Sequence, residues 1–417
     1  MTTMTTISGC RACGDPGLVR LLELGELPLA NALLSAADLV REEPRYPLTL
    51  AFCPRCTLVQ IEETVDPEVL FGTYLYFSSF SETMLQHARE EALHLAARRR
   101  LGPGSLVVEI ASNDGYLLKN FVAMGVPVLG IEPAGNIAAA AEASGVRTEN
   151  SFFGLELARR LRAEGVRADV VIANNVLAHV ADLDGTASGI ATILAGDGLA
   201  AIEFPYVGDM IDAVEFDTIY HEHLCYFSLH AVSAVFARHG LSVTDVERHP
   251  IHGGSLRIYL ERAGNDVSAA VRRLLDEESA RGMNAARFYE DFAARVKSLG
   301  RDLVGELRKR KAAGQTLAAY GASAKGSTLM NAFGIGVELL DFVADRSTVK
   351  QGRYTPGNHV PIVGPEALME KRPDAVLLLT WNFADEIFRQ QAAYLNAGGT
   401  FVVPIPSVRT VGKEVLS

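Results

Sequence analysis

Short apolar runs recur along the middle of the chain, and segments with a helical spacing of apolar residues separate them. Runs of this length are typical of buried strands, whereas the segments between them have the period of amphipathic helices. The strand-like runs lie at 106–110, 126–131, 169–174, 198–204, 241–247 and 255–260. Strands that alternate with helices predict right-handed βαβ crossovers and a parallel sheet, which is the pattern of an α/β fold.

The same alternation returns near the end of the chain, after a long helical stretch. Residues 262–312 are helical by period, rich in alanine and highly charged, and such a charge run predicts a connector with a solvated face. Another helix is predicted over 81–100, upstream of the helix-ending Gly102-Pro103-Gly104. A strand at 316–320, a tight loop at 321–326 and a helix at 327–333 begin a second alternation. Further apolar runs lie at 339–344, 374–380 and 399–404, and together these segments predict a second Rossmann-like unit.

Composition and charge limit the classes of function. A chain of 417 residues exceeds the size of one hydrophobic core, and 48% hydrophobic residues without a low-complexity tract predict that most of it folds. The formal charge of -11 disfavours non-specific nucleic-acid binding, which depends on surplus Lys and Arg. No apolar run approaches the roughly 18 residues of a membrane span, and no signal segment opens the sequence. We expect a cytoplasmic monomer without nucleic-acid or membrane partners.

Four of the five cysteines form two pairs of identical spacing: Cys10-x2-Cys13 and Cys53-x2-Cys56. Each pair can turn two thiolates toward one ion, and two pairs complete a tetrahedral sulfur shell that suits Zn²⁺. The site would be closed and structural, because four protein ligands leave no position for a substrate. Unligated core cysteines or a redox pair are the alternatives. The fifth cysteine, Cys225, has no base paired to it and is expected to be buried and inert.

A small-residue turn follows the first of these strands: Ala111-Ser112-Asn113-Asp114-Gly115. Strand, turn and helix in this order let backbone amides approach a nucleotide-type ligand. Gly115 is the single glycine of the turn, which therefore differs from a G-x-G-x-x-G motif. Glu132 ends the next strand, where a carboxylate can accept hydrogen bonds from a ribose diol. Asn174 and Asn175 end the third strand.

A dense group of polar side chains follows the predicted strand 198–204: Tyr220-His221-Glu222-His223-Leu224-Cys225-Tyr226. Doubly wound α/β domains bind their ligands at the carboxyl ends of their strands, which is where this segment lies. Histidine titrates near neutral pH, so His223, beside a carboxylate and near hydroxyls, indicates a proton-transfer centre. His221 is interpreted as structural.

Glu109 before the turn, Glu132, the pair Asn174-Asn175 and the two late strands together resemble class I S-adenosylmethionine-dependent methyltransferases. With the four-cysteine module in front and segment 220–223 behind, the whole chain resembles sugar C-methyltransferases that act on dTDP-4-keto-6-deoxy sugars, as in D-tetronitrose biosynthesis. The resemblance implies methyl transfer from S-adenosylmethionine to C-3′, beside the C-4′ ketone, as a step of deoxysugar and antibiotic biosynthesis. It implies a cofactor site formed by Glu109, Ala111, Asn113, Asp114, Gly115, Glu132, Asn174 and Asn175.

The fold class that follows is α/β, with a class I methyltransferase Rossmann-like core between a small zinc module and a second Rossmann-like domain. We expect a zinc-binding module at 1–75, an S-adenosylmethionine-binding core at 76–262, a helical connector at 263–313 and a C-terminal domain at 314–417. The dTDP-linked sugar is expected in the cleft between these parts.

Methylation at carbon requires a carbanion equivalent, and the most accessible one on a sugar is an enolate beside a ketone. A base must remove a weakly acidic C–H proton, and a donor must stabilise the oxyanion. We assign the base to His223, with Tyr220 and His179 as donors to the oxyanion; a packed or capping role is the alternative for His179. Glu222 could orient an imidazole or contact a substrate hydroxyl or amine. The resemblance places Tyr76, Tyr220, Glu222 and His223 around the sugar.

The aromatic stretch 71–80 has two competing interpretations. It either packs the zinc module onto the core or forms a lid over the active site. In a lid, Tyr76 would offer a hydroxyl group, and Phe80 would offer a flat face to a base or a sugar.

The loop Gly321-Ala322-Ser323-Ala324-Lys325-Gly326, followed by Asp345, also has two functional interpretations. As a nicotinamide-cofactor site it would make the protein an NAD-dependent nucleotide-sugar dehydrogenase or epimerase. The G-x-G-x-x-G pattern is missing, however, and a lysine at the start of a helix suits anion capture. We therefore assign Ser323 and Lys325 to the diphosphate of the nucleotide sugar. A degenerate unit that only closes the cleft, and a non-catalytic zinc-dependent scaffold, are the remaining alternatives.

Overall fold

The computed structural model describes residues 4–71, 79 and 81–416. Tyr76 and Phe80 lie outside the described residues, so both interpretations of the aromatic stretch stay predictions. Within the described ranges, none of the helices is long and apolar enough to cross a membrane.

The N-terminal part is a small β-structure around the two cysteine pairs. Its elements are β1 Met4–Thr6, β2 Val19–Leu27, β3 Tyr46–Phe52, β4 Val59–Ile61, β5 Glu63–Val65 and α1 Pro67–Phe71. β1 pairs with β5, and β2, β3 and β4 form an antiparallel meander. β3 is almost wholly buried, so this unit has a small core in addition to its cysteines.

The central part is a seven-stranded sheet with helices packed on it. Its elements are α2 Glu82–Arg99, β6 Val107–Ile110, α3 Leu118–Ala123, β7 Val128–Ile131, α4 Gly135–Ala143, β8 Thr148–Glu149, α5 Leu155–Ala163, β9 Ala168–Asn174, α6 Leu183–Ile193, β10 Leu194–Pro205, α7 Val207–Asp212, β11 Cys225–Tyr226, α8 Leu229–Ala237, β12 Leu241–His249 and β13 Ser255–Arg262. The strand order is β12-β13-β10-β9-β6-β7-β8. β6 to β10 run parallel, and β13 is antiparallel to both of its neighbours. The predicted Rossmann-like core is confirmed.

The strands of this sheet are apolar because both faces are covered. All four residues of β6 are buried, as expected of a parallel strand between two layers of helices. β10 begins at Leu194, four residues before the predicted 198. The predicted helix 81–100 is confirmed as α2, and Oγ of Ser81 caps it by accepting a hydrogen bond from the N–H of Met84 at 3.3 Å.

β11 does not belong to the central sheet but pairs antiparallel with β4 of the N-terminal part. The N–H of Ile61 donates to the carbonyl oxygen of Leu224 at 3.0 Å, and the N–H of Leu224 donates to the carbonyl oxygen of Ala178 at 2.6 Å. Segment 220–226 is therefore held between the N-terminal sheet and the loop that follows β9.

The stretch after the central sheet forms two helices, α9 Ala269–Arg281 and α10 Phe292–Ala312. The prediction of a solvated charged face is wrong at Glu278, which is fully buried. Its carboxylate oxygens accept from the N–H groups of Leu229 and His230, at 2.7 and 3.0 Å. These amides open α8, and a negative charge there is favoured by the helix dipole.

The C-terminal part is a second α/β unit, as predicted. Its elements are β14 Leu317–Tyr320, α11 Ala324–Phe333, β15 Val343–Ala344, β16 Ile362–Val363, α12 Ala367–Lys371, β17 Ala375–Leu378, α13 Ala384–Gln390, α14 Ala392–Asn396, β18 Thr400–Val403 and β19 Arg409–Val411. The sheet order is β16-β15-β14-β17-β18-β19, and only the pairing of β19 is antiparallel among the described strands of this sheet. α11 begins three residues before the predicted 327, because Oγ of Ser323 caps it by accepting from the N–H of Gly326 at 3.0 Å.

Candidate active site

A cavity of about 650 Å³ opens where the three parts of the chain meet, at the carboxyl ends of β6, β7 and β9. This volume lies in the range typical of small-molecule sites. Most of the predicted site residues that the structure describes line it: Ala111, Asn113, Glu132, Asn174, Asn175, His179, Tyr220, Glu222, His223, Ser323 and Lys325. The cavity thus brings the predicted cofactor, catalytic and diphosphate residues together.

Three predicted cofactor residues are not part of the wall that the described residues form: Glu109, Asp114 and Gly115. Glu109 is buried in β6, and burial, followed by nearby carboxylates, raises its pKa well above the usual value. Gly115 shapes the turn, because its φ is +77° and a Cβ there would lie 2.8 Å from Cγ2 of Val146. Direct cofactor contacts of these three residues stay predictions.

Glu132 holds the turn 111–115 in place. Its Oε2 accepts from the N–H of Asn113 at 3.0 Å, and its Oε1 accepts from the N–H of Ala134 at 2.9 Å. Each oxygen has a second lone pair, so the predicted contacts with a ribose diol remain available. Burial raises the pKa of Glu132, and the two amide hydrogen bonds oppose that change.

Asn174 is oriented by a buried charge network behind the cavity. Its Nδ2 donates to Oε2 of Glu91 at 2.6 Å, and Nη2 of Arg257 lies 3.1 Å from the same oxygen. Arg257 also contacts Glu203 at 2.7 Å. Burial raises the pKa of Glu91 to about 7, with Arg257 opposing it. Burial also disfavours ionisation of Glu203, yet its contacts with His87 and Arg257 outweigh that effect and lower its pKa.

Tyr220 and His223 form a hydrogen-bonded pair on the opposite side of the cavity. Nδ1 of His223 lies 2.8 Å from the carbonyl oxygen of Thr218, and its Nε2 lies 2.8 Å from the hydroxyl oxygen of Tyr220. A carbonyl oxygen can only accept, so Nδ1 carries the proton and Nε2 accepts from the phenol. Burial, followed by the charge repulsion of a protonated His179, lowers the pKa of His223 well below its usual value.

His179 lies beside this pair. Its ring centre is 4.7 Å from that of His223, with the two planes at 73°. Burial lowers the pKa of His179 to about 4, although a hydrogen bond with the backbone of Glu222 opposes the change. Both imidazoles are therefore neutral at pH 7, and a neutral imidazole can still donate one N–H.

Glu222 and His223 both line the cavity although they are adjacent in sequence. In an extended strand they would point to opposite faces, but residues 221 and 222 form a turn. Oε1 of Glu222 accepts from Nδ2 of Asn31 at 2.7 Å. Burial raises the pKa of Glu222 to about 7, and the Asn31 hydrogen bond opposes this rise. Nε2 of His221 lies 3.0 Å from the carbonyl oxygen of Pro47, which agrees with a structural role.

The four paired cysteines meet in one cluster and are not among the residues that line the cavity. Sγ of Cys10 lies 3.4 Å from that of Cys56, and Sγ of Cys13 lies 3.6 Å from that of Cys53. All four sulfurs lie within 4.8 Å of one another. Tetrahedral Zn–S bonds of about 2.3 Å place sulfurs about 3.8 Å apart, so the cluster fits Zn²⁺. Nε2 of Gln60 lies 3.2 Å from Sγ of Cys10 and is suited to stabilise its thiolate.

Ser323 and Lys325 lie at the start of α11 and line the cavity. The Ser323 oxygen serves as the helix cap, which leaves the hydroxyl hydrogen to donate to a ligand. Nζ of Lys325 lies 3.5 Å from the carbonyl oxygen of His252, and Nζ of Lys350 donates to the carbonyl oxygen of Ala322 at 2.8 Å. Two lysine side chains therefore accompany the amides of a helix N-terminus.

Lys325 also lies among acidic and aromatic groups. Its Nζ is 4.9 Å from the centre of the Trp381 ring, and Nε1 of Trp381 donates to Oδ2 of Asp217 at 2.7 Å. Burial raises the pKa of Glu215 to about 7 and that of Asp217 to about 6, and the positive charge of Lys325 opposes both. An anionic ligand near Lys325 would compete with these two carboxylates.

Several residues of the cavity were missed from the sequence: Asn31, Phe152, Phe153, Thr218 and Lys350. The adjacent aromatics Phe152 and Phe153 follow β8, and Phe152 is 51% exposed, which is unusual for an apolar ring. Two adjacent aromatic residues were the available signal. Asn31 contacts Glu222, which is 191 residues away in the chain, and Thr218 contacts His223 through its backbone carbonyl. Neither contact can be predicted from the neighbouring sequence.

Comparison with known proteins extends this picture. Three family models match consecutive parts of the chain: a zinc binding domain at 10–71, a methyltransferase domain at 83–246 and a C-methyltransferase C-terminal domain at 250–406. The last model spans both the helical connector and the second α/β unit. The proposed boundaries at 75, 262 and 313 stay predictions.

The chain is 37% identical over 413 residues to the C-methyltransferase NovU of Streptomyces niveus, which covers 98% of each chain. Among solved structures, it is similar to the magnesium protoporphyrin IX methyltransferase ChlM of Synechocystis PCC 6803 with bound S-adenosylmethionine, at 16% identity, 43% and 79% coverage of the two chains, and a TM-score of 0.33. It is also similar to an S-adenosylmethionine-dependent methyltransferase of Clostridium acetobutylicum ATCC 824, at 9% identity, 43% and 92% coverage, and a TM-score of 0.36.

Proposed function

Because the chain belongs to the C-methyltransferase family and is an S-adenosylmethionine-dependent enzyme, we propose that it methylates C-3′ of a dTDP-4-keto-6-deoxy sugar through an enolate. The sugar would be an intermediate of deoxysugar and antibiotic biosynthesis, with either an amino or a hydroxyl group at C-3′. The zinc module, the cofactor site and the nucleotide site would then meet at one cavity.

S-adenosylmethionine fits the end of the cavity that Asn113, Glu132, Asn174 and Asn175 line. Oδ1 of Asn174 and Oδ1 of Asn175 are buried and accept no hydrogen bond from the described residues. An ammonium group is the kind of donor that such acceptors need, and the Glu132 oxygens can accept from a ribose diol. When bound, the cofactor supplies a methyl group activated by its sulfonium.

Proton removal is assigned to the pair of Tyr220 and His223. The C-3′–H bond breaks, its electron pair forms the enolate, and the proton passes to the phenol oxygen while the phenol proton passes to Nε2 of His223. The Thr218 carbonyl stabilises the resulting imidazolium by accepting from Nδ1–H. His223 keeps its predicted role as the final base, whereas Tyr220, which was predicted as a donor to the oxyanion, is proposed instead to relay the proton.

Negative charge on a ligand opposes the effect of burial on the pKa of His223. A bound diphosphate or a developing enolate brings negative charge near the imidazole, and opposite charges nearby favour its protonated form. His179 is assigned its predicted role as a donor to the oxyanion at C-4′ in the protonated form, because a neutral ring has one N–H and the backbone of Glu222 already accepts it. Glu222 is assigned to a hydroxyl or amino group of the sugar.

The diphosphate is assigned to Ser323 and Lys325, with Lys350 as a further candidate. Amides at the start of a helix and lysine ammonium groups are a common arrangement for phosphate binding. All three side chains line the same cavity as Tyr220, so one nucleotide sugar could span both groups.

The observation that carries this proposal is the Nδ1-protonated His223, bonded to Tyr220, in the same cavity as Asn174 and Glu132. The test supplies dTDP-4-keto-6-deoxy sugars and S-adenosylmethionine labelled in its methyl group. We expect label on carbon C-3′ of the nucleotide sugar, located by NMR. Label on oxygen or nitrogen would overturn the proposal. Protein-bound nicotinamide in an absorbance scan, with sugar oxidation or epimerisation, would favour the dehydrogenase or epimerase alternative.

A further inference from the structure

The loop between the two cysteine pairs reaches the catalytic side of the cavity. It carries Asn31, whose Nδ2 lies 2.7 Å from Oε1 of Glu222. Leu29, Ala32 and Leu33 of the same loop also line the cavity. The zinc module therefore contributes a polar side chain to the site, in addition to the backbone pairing of β4 with β11.

Backbone hydrogen bonds fix the turn that presents Asn31. The N–H of Ala32 donates to the carbonyl oxygen of Leu29 at 3.1 Å. A little further along, Leu34 and Tyr354 exchange two backbone hydrogen bonds, at 3.0 and 2.9 Å. These bonds tie the loop to the C-terminal domain. Because the backbone around Asn31 is already held, its side chain loses little further conformational freedom when it binds Glu222.

Glu222 needs such a partner. It is 3% exposed, and an ionised carboxylate without water is costly unless donors replace its hydration. Among the residues that the structure describes, Asn31 gives the one hydrogen bond to this carboxylate. A donor to a carboxylate favours its charged form over its neutral form.

We propose that Asn31 is a positioning residue, which holds the carboxylate of Glu222 in one orientation and favours its charged form for contact with the sugar. The proposal rests on the function proposed above in one respect, which is that Glu222 contacts a sugar. The contact between Asn31 and Glu222 itself does not depend on the identity of the substrate.

The imidazoles that line the same cavity as Glu222 have lowered pKa values. His179 has its pKa lowered to about 4 by burial, and the pKa of His223 is also lowered well below its usual value. Tyr220 has its phenol engaged with His223. Because both pKa values are lowered, these imidazoles are neutral near pH 7, and a transition there on this side of the cavity belongs to Glu222.

The far side of the cavity contains groups that titrate close to Glu222. Lys325 is positively charged there, and burial raises the pKa of Glu215 to about 7 and that of Asp217 to about 6. A pH profile of activity alone would mix these carboxyls with Glu222. The test therefore needs a signal that comes from one residue.

The decisive experiment follows the carboxyl carbon of Glu222 by NMR in protein labelled with ¹³C-glutamate, with Glu222→Gln to assign the signal. We expect a midpoint near pH 7 in the unchanged protein and a midpoint about one to two pH units higher in Asn31→Ala, because a hydrogen bond to a charged group is lost. Asn31→Asp is the second variant and should raise the midpoint at least as much, since it places another carboxylate 2.7 Å away. An unchanged midpoint in a folded variant overturns the proposal.

Asn265→Ala is the matched control. Nδ2 of Asn265 donates to Oε2 of Glu261 at 2.7 Å, the same distance, but on the exposed surface. This variant should leave the Glu222 midpoint unchanged, and a midpoint that moves in both variants would also overturn the proposal.

A double-mutant cycle then tests the link to catalysis. If Asn31 acts through Glu222, Asn31→Ala should change kcat/KM by less than about twofold in the Glu222→Gln background, whereas independent effects would multiply and contradict the proposal. If the unchanged protein methylates no sugar, the proposed function fails, but the NMR titration still decides the role of Asn31. If it methylates and the midpoint does not move, the proposal on Asn31 fails alone.

Discussion

The phenol of Tyr220 donates to Nε2 of His223 at 2.8 Å, and this imidazole is locked by the Thr218 carbonyl on its other nitrogen. The ring can therefore take up a proton only at the nitrogen that faces the phenol. Because both side chains line the cavity, we propose that the pair passes a proton from a ligand to the imidazole.

Replacement of Tyr220 by phenylalanine should remove this path. We expect Tyr220→Phe to lower kcat by about 10²- to 10⁴-fold, the usual contribution of general acid–base catalysis, while the affinity for S-adenosylhomocysteine is unchanged. Single-turnover methyl transfer and calorimetry measure the two effects.

Tyr226→Phe provides the control for this change. Its hydroxyl donates to the backbone carbonyl oxygen of His223 at 3.0 Å, with the Thr218 carbonyl oxygen at 3.4 Å as a weaker acceptor. The variant should cost about 1 kcal/mol of stability and reduce kcat by less than tenfold. Equal losses of kcat in Tyr220→Phe and Tyr226→Phe would contradict a specific proton path.

Glu222 should make stability depend on pH. Its pKa is about 7 in the folded protein, against a usual value of 4.5, so between these values the folded state holds a proton that the unfolded chain has released. The stability that Glu222 contributes therefore falls as the pH rises from about 4.5 to 7, by about 3 kcal/mol. Glu222→Gln should lack this loss and become the more stable protein at pH 8. Urea unfolding from pH 5 to 8 measures the difference, and parallel curves for the two proteins would argue against it.

Removal of zinc should loosen the catalytic segment. β4 follows directly after the second cysteine pair and pairs with β11, so loss of the metal should release the backbone of 220–226. Hydrogen exchange in metal-free protein should therefore rise in this segment and at Ile61, while β17 and β18 in the C-terminal sheet stay protected. Unchanged protection of 220–226 after complete metal loss would show that the module does not hold the segment.

Lys325 should bind the diphosphate. Lys325→Ala should weaken dTDP binding by about 10- to 100-fold, the range for loss of a hydrogen bond to a charged group, without changing the affinity for S-adenosylhomocysteine. Lys371→Ala is the matched control, because Nζ of Lys371 also lies over an aromatic ring, 4.6 Å from the centre of Phe342, but the residue is exposed. Equal dTDP affinity in the Lys325 variant and the unchanged protein would exclude this assignment.

The sequence predicted the elements whose signal is local. Buried parallel strands such as β6 appear as short apolar runs, and paired cysteines such as Cys10 and Cys13 have a spacing that metal knuckles require. Segment 220–226 was predicted as a site because several polar groups are adjacent in it. Its position between two sheets was not predicted, because β11 is two residues long and its partner strand lies in another domain.

Contacts between side chains that are far apart in the chain were not predicted from the sequence. The contact of Asn31 with Glu222 joins loops 191 residues apart, and an asparagine in a loop usually faces water. Glu278 was predicted to belong to a solvated charge run, but its carboxylate accepts a hydrogen bond from the N–H of Leu229 at the start of α8. The pKa of His223 was expected near neutrality, and only the structure shows how strongly burial lowers it. Each of these features depends on which surfaces pack together.

The central claim is that Tyr220 and His223 generate an enolate at C-3′, and hydrogen exchange at that carbon tests it most directly. The enzyme is incubated in heavy water with a dTDP-4-keto-6-deoxy sugar and S-adenosylhomocysteine, so that no methyl group can be transferred. We predict that deuterium enters C-3′ but not C-5′, and that this exchange is lost in His223→Ala and Tyr220→Phe. Methyl transfer by an enzyme that incorporates no deuterium at C-3′, or unchanged exchange in both variants, would contradict the account.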